Sequence, residues 1–140
     1  MKVVLDTNVL VSGLLTPFGT CGDIVRMLTS GELVLCVDAR ILLEYDDVLR
    51  RSKFSIAARS VDVLMEYIQA SSERHACAPL STPLPGPDDS PFPGVALSAA
   101  ADCLVTGNVK HFPQRCWGHV SVLSPQQFIE KTRERRIGSP

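Results

Sequence analysis

Residues 1–15 read MKVVLDTNVLVSGLL, an apolar run that stops on Asp6 and resumes at Val9. Lys2–Leu5 is rich in β-branched side chains and suits a buried strand. Val9–Leu15, followed by Asp23–Leu28, reads as helical, and Gly31 closes the section. The polar triplet Asp6-Thr7-Asn8 therefore falls where a strand hands over to a helix. A second handover follows: Glu32–Val37 (ELVLCV) reads as a strand, and Ala39–Arg51 carries Ile41, Leu42, Tyr45, Val48 and Leu49 at helical intervals. Ser60–Ala70 is a further amphipathic helix. Strands alternating with helices indicate an α/β fold, a three-layer α/β/α sandwich around a mainly parallel sheet.

Beyond residue 78 the pattern breaks. Pro79, Pro83, Pro85, Pro87, Pro91 and Pro93 mark a loop, with Asp89 and Ser90 standing where a helix cap belongs. GVALSAAA (94–101) reads as the helix that follows, DCLVTGN (102–108) as a strand ending in a polar turn, HVSVL (119–123) as the last strand, and Pro125 to about Arg136 as a closing helix. There are no internal repeats. Neither side of the proline-rich loop holds enough apolar material for its own core, so residues 1–140 read as a single domain.

That domain has 140 residues, enough to bury about two-thirds of the surface its unfolded chain exposes. Its formal net charge of -1 means that any contact with nucleic acid has to be local. The first apolar stretch breaks at Asp6, far short of the roughly 18–20 residues a membrane span needs. The same acid spoils a signal peptide, and a cytoplasmic protein with no membrane partner is expected. Cys21, Cys36, Cys77, Cys103 and Cys116 are odd in number and contain no C-x-x-C pair, which argues against a disulfide framework and against a structural zinc site. Most of them read as small buried hydrophobes, and the scattered His75, His111 and His119 as surface or loop residues.

In a parallel α/β sheet the functional crevice lies beyond the carboxyl ends of the strands. Asp6 sits at such an end, and so does Asn108 after CLVTG, while Asp88 and Asp89 precede the helix that feeds that strand. Glu44 lies mid-helix among Leu42, Leu43 and Tyr45 and can face either way. Each has a plain reading on its own: Asp6 as the cap of the next helix, Glu44 as a solvated helix residue, Asp88 and Asp89 as turn and cap. Acids converging on one mouth repel one another, and a hard divalent cation relieves the repulsion. Such a site suits hydrolysis of phosphodiesters. Arg50, Arg51 and Lys53 would give it a positive rim for RNA phosphates, whereas the mixed signs of EKTRERR (130–136) fit a solvated helix end. No G-x-G-x-x-G, G-x-x-x-x-G-K-[ST] or G-x-S-x-G sequence is present, so nucleotide cradles and a serine nucleophile elbow are absent.

VVLDTNVLVSGLL (3–15), ILLEYDDVLRRSKF (41–54) and PDDSPFPGVALSAAADCLVTGN (87–108) together resemble the PIN-domain ribonucleases, most of all the small stand-alone branch of toxin–antitoxin toxins (VapC-like). The resemblance implies a compact α/β/α domain whose acids bind Mg²⁺ or Mn²⁺ and cleave RNA. Carried over by position, it makes Asp6, Glu44 and Asp89 the catalytic metal ligands, with Asp88 as the fallback for Asp89 and Asn8 as a support for Asp6. It also implies a homodimer and a small antitoxin protein whose segment lies across the cleft. Two departures stand out. Asn108 replaces the acid that usually follows Thr-Gly, and Pro91 and Pro93 stand at the start of the helix behind Asp89, which predicts a late helix start. They keep a second reading open, a binding module with the same fold and no catalysis.

Overall fold

The computed structural model describes residues 1–75, 91–112 and 119–138. Val3, Val4 and Leu5 have no solvent exposure, because β1 (Lys2–Leu5) lies in the middle of the sheet. It pairs in parallel with β2 (Val34–Val37) on one side and β4 (Cys103–Val105) on the other. The two-residue strand β3 (Glu73–Arg74) adds to β2, and β5 (Ser121–Leu123) adds to β4, again in parallel. The sheet order is β3-β2-β1-β4-β5. Strands buried on both faces read as near-continuous apolar runs, which is why VVL, LCV and CLV carry so few polar residues.

Six helices flank the sheet among the described residues: α1 (Thr7–Leu15), α2 (Thr20–Thr29), α3 (Ala39–Leu49), α4 (Ala58–Ser71), α5 (Pro91–Ser98) and α6 (Pro125–Gly138). The expected three-layer α/β/α architecture is the one observed. The chain builds outward from β1 through β2 to β3, then returns to the other side of β1 for β4 and β5. The topological switch therefore lies between β1 and β4, with Asp6 and Thr106 directly beyond their ends.

The axes of α1 and α2 bend by 103° across a short turn. The approach is close enough that a Cβ on Gly22 would lie 2.0 Å from the Pro17 carbonyl oxygen. No helix among the described residues is long and apolar enough to cross a membrane.

Several boundaries move from the sequence expectation. α1 starts at Thr7 and takes in Asn8. α5 starts at Pro91, so the two prolines form its first turn and do not delay it; a first turn has no partner for the missing N–H groups, which makes proline harmless there. β3 was not expected, because Glu73-Arg74 carries no apolar run; it is a short charged edge strand of the kind that discourages further pairing. Cys36 and Cys103 are buried, as read, and Cys21 is half-buried.

Tyr45 is the largest wholly buried side chain among the described residues. Its hydroxyl donates to the Leu5 carbonyl oxygen at 2.5 Å, and its ring lies 6.2 Å from that of Phe92, so one residue ties α3 to the end of β1 and to α5. Burial raises its pKa well above the ordinary 10.0, and the charges of Asp6 and Glu44 push the same way. The folded state thus holds the phenol protonated where the unfolded chain ionises it. That contribution is complete below pH 10.0 and is lost as pH rises above it. Tyr45→Phe is expected to cost about 1–2 kcal/mol at neutral pH, from the lost hydrogen bond. The same variant should lose stability less steeply above pH 10, which urea titrations at two pH values would show.

Candidate active site

Asp6 occupies the N-cap position of α1, with extended backbone angles of φ -62° and ψ 144°. Its backbone N–H donates to the Val105 carbonyl at 2.9 Å and its carbonyl accepts from Val9 N–H at 2.9 Å, so the main chain passes from sheet to helix without strain. An aspartate there ordinarily turns its carboxylate onto the N–H groups of the helix. This one does not: its side chain makes no capping hydrogen bond. Its Oδ2 accepts a hydrogen bond from the Thr106 hydroxyl at 2.7 Å, across the switch at the end of β4.

Asp38 provides the internal comparison, since it also follows a strand and opens a helix. Its Oδ1 accepts from the Ile41 N–H at 2.8 Å, and its Oδ2 pairs with Arg40 at 3.0 Å. One aspartate caps its helix and is neutralised; the other is turned away from the helix and held over the sheet edge.

Glu44 completes the arrangement from α3. Its Oε2 accepts a short hydrogen bond from the hydroxyl of Thr7, the residue after Asp6. Thr7 is 4% exposed and Thr106 wholly buried, so two buried hydroxyls each orient one carboxylate. The Thr106 oxygen also accepts from the Asn108 N–H at 3.0 Å, which fixes the turn after β4. Beneath them, Tyr45 feels both carboxylates.

Of the residues expected at the site, Asp6 and Glu44 come together through Thr7, and the Asn108 backbone reaches Asp6 through Thr106. Asn8 is exposed in the first turn of α1, and Asn108 is exposed after β4. Asp88 and Asp89 lie outside the described residues. On the expected basic rim, Arg50 pairs with Asp46 at 2.9 Å and Asp62 at 2.7 Å, and Arg51 pairs with Asp47 at 3.0 Å. Asp62 first, then Asp46, raises the Arg50 pKa. Lys53 lies 5.0 Å above the Phe54 ring. Thr7, Thr106 and Tyr45 were not singled out from sequence, although each threonine follows a strand and Tyr45 adjoins Glu44.

A different set of side chains is close enough to share a metal ion among the described residues: Cys36, Glu73 and His75, on β2 and at β3. His75 lies in the loop directly after β3, as the surface-or-loop reading allowed, and is half-buried and hydrogen-bonded to Glu73.

A family profile for the PIN domain matches residues 2–110, a stretch containing Asp6, Glu44 and Asn108. The chain belongs to the PIN domain family. No curated protein and no solved structure matches it. PIN domains are nuclease folds that generally use divalent metal ions, and the donor set at the switch suits such an ion. It consists only of hard oxygen donors, and each described carboxylate accepts a threonine hydroxyl with one of its two oxygens.

Proposed function

We propose that this PIN domain is a divalent-metal-dependent endoribonuclease, with Asp6 and Glu44 as metal ligands and Asp89 as the third. The observation that carries the reading is the carboxylate of Asp6, which stands at a helix cap and declines to cap it, bound instead to Thr106. A group used only for stability would satisfy the helix, as Asp38 does.

In this reading Thr106 and Thr7 fix the direction of the two carboxylates, and Tyr45 fixes the backbone from which Asp6 projects. Asn8 supports Asp6 from the first turn of α1, and Asn108 offers a neutral amide oxygen where an acid would add charge. A bound Mg²⁺ or Mn²⁺ ion would supply charge to the phosphate oxygens and a more acidic water. Lys53, with Arg50 and Arg51 despite their ion pairs, would meet the phosphates of RNA outside the cleft.

The toxin role is the finer part of the proposal. A groove of about 450 Å³ between α1, α2 and α4 is lined by Leu14, Val25, Val63, Leu64 and Tyr67, and Val63 is 60% exposed. Phe18, in the turn between α1 and α2, is 96% exposed. Apolar side chains left in water near the first helices suit an antitoxin segment or the second copy of a homodimer.

The test is incubation of the purified chain with a mixed RNA pool in Mn²⁺ or Mg²⁺, against a chelated control. Cleavage that needs the metal supports the reading. Intact RNA with metal present would favour the second one, a PIN-fold binding module, to which the amide at Asn108 points. Thr106→Val is expected to lower the cleavage rate about 10-fold while Thr106→Ser restores it, since only the hydroxyl orients Asp6; a loss of 1–3 kcal/mol in stability should accompany the valine. Equal rates for valine and wild type would remove Thr106 from the site.

A further inference from the structure

We infer that Cys36, Glu73 and His75 form a binding site for a zinc-class transition metal ion, separate from the acidic edge at Asp6. Cys36 and Glu73 are direct partners across the parallel pair β2–β3, so their side chains leave the same face of the sheet. His75 is two residues beyond Glu73 and shares that face. Its backbone N–H donates to the Val37 carbonyl at 2.9 Å, which holds it in register with β2.

The ligand atoms of the three side chains all lie within 4.8 Å of one another. Tetrahedral zinc, with bonds of about 2.0–2.3 Å to nitrogen, oxygen and sulfur, places its donors roughly 3.3–3.8 Å apart. Closing the difference takes side-chain movement of about 1 Å, within the reach of small torsional adjustments. The donor set also selects the ion: a thiolate with an imidazole favours zinc over the Mg²⁺ or Mn²⁺ suited to an all-oxygen site. Three protein ligands leave the fourth position to water, reached from the partly exposed side of Glu73 and His75.

The position already holds a cation. Glu73 Oε1 accepts from Lys2 Nζ at 3.0 Å and meets His75 Nε2 at 2.6 Å. On binding, the ion takes the place of the Lys2 ammonium, and Lys2, at 43% side-chain exposure, moves to solvent. The Cys36 thiol gives its proton to water as the metal–sulfur bond forms, with no redox change. The odd cysteine count and missing C-x-x-C hide such a site from the sequence, because its donors come from separate strands.

The experiment is titration of the full chain, reduced, with Co²⁺ as the spectroscopic probe, followed by Zn²⁺. The expected result is a thiolate-to-metal charge-transfer band that saturates at one equivalent of cobalt and is displaced by zinc; cobalt held by the all-oxygen donors at Asp6 adds no such band. Cys36→Ser should abolish the band, and His75→Gln should weaken binding by at least the roughly 10–100-fold that loss of a mere supporting partner costs. Lys2→Met, at a half-buried position where the methionine keeps the apolar stem, should tighten binding by removing the competitor. Asp6→Asn and Cys21→Ser should leave the thiolate band unchanged, which separates this site from the nuclease reading. Wild-type protein that shows no thiolate band, or a band that survives Cys36→Ser, overturns the inference.

Discussion

Asp6→Asn is expected to lower metal-dependent RNA cleavage roughly 10²–10³-fold, the scale of losing one group that stabilises charge in the transition state, while the fold is retained. The amide keeps an oxygen for the Thr106 hydroxyl, so the link between β1 and β4 survives. It removes a unit of negative charge from a site that already carries a neutral Asn108, and a hard cation held by few carboxylates depends on each of them. Thermal melting of the variant should stay close to wild type as its Mn²⁺ affinity collapses in calorimetry. Unchanged Mn²⁺ affinity would refute Asp6 as a ligand. Loss of melting temperature together with activity would mean that Asp6 only holds the sheet together.

The second large effect concerns stability alone. Gly22→Ala should destabilise the domain by about 2–3 kcal/mol, the upper range for overpacking. The added Cβ would meet the Pro17 carbonyl oxygen at 2.0 Å, its carbon at 2.4 Å and its Cα at 2.8 Å. All three are backbone atoms, so no rotamer change gives relief and the turn between α1 and α2 has to open. A melting temperature lowered by roughly 10 °C is expected. A fall of a degree or less would show that the turn yields freely.

The order of elements was legible because buried parallel strands write themselves as VVL, LCV and CLV between amphipathic helices. What was not legible depended on pairings between distant residues. The sequence leaves Asp6 suited to capping or to a site, since both uses want an aspartate after a strand; in the fold its side chain does not cap but accepts from the Thr106 hydroxyl, which arrives with β4. Glu44 likewise faces inward because Thr7 meets it, although its helical neighbours allow either direction. Glu73-Arg74 gives no strand signal of its own and becomes β3 by pairing with Cys36 and Val37. Pro93 looked like a barrier to a helix, yet it falls in the first turn of α5, where no backbone donor is missed. Asp6 and Glu44 were named as ligands through resemblance to a family, and spacing alone would not have selected them.

The hydrogen bond between Asp6 and Thr106 joins residues 100 positions apart, and the same separation divides the paired Leu5 and Val105. Contacts of such range close late in folding, after nearby elements have formed. Chains are synthesised from the N-terminus, at about 5–20 residues per second. For several seconds of synthesis Asp6 is therefore already made while the strand that orients it does not yet exist. An unfinished chain ending before β4 lacks half of the site edge. Putting one carboxylate at residue 6 and its anchor at residue 106 means that the site we propose is completed only once β4 has been made.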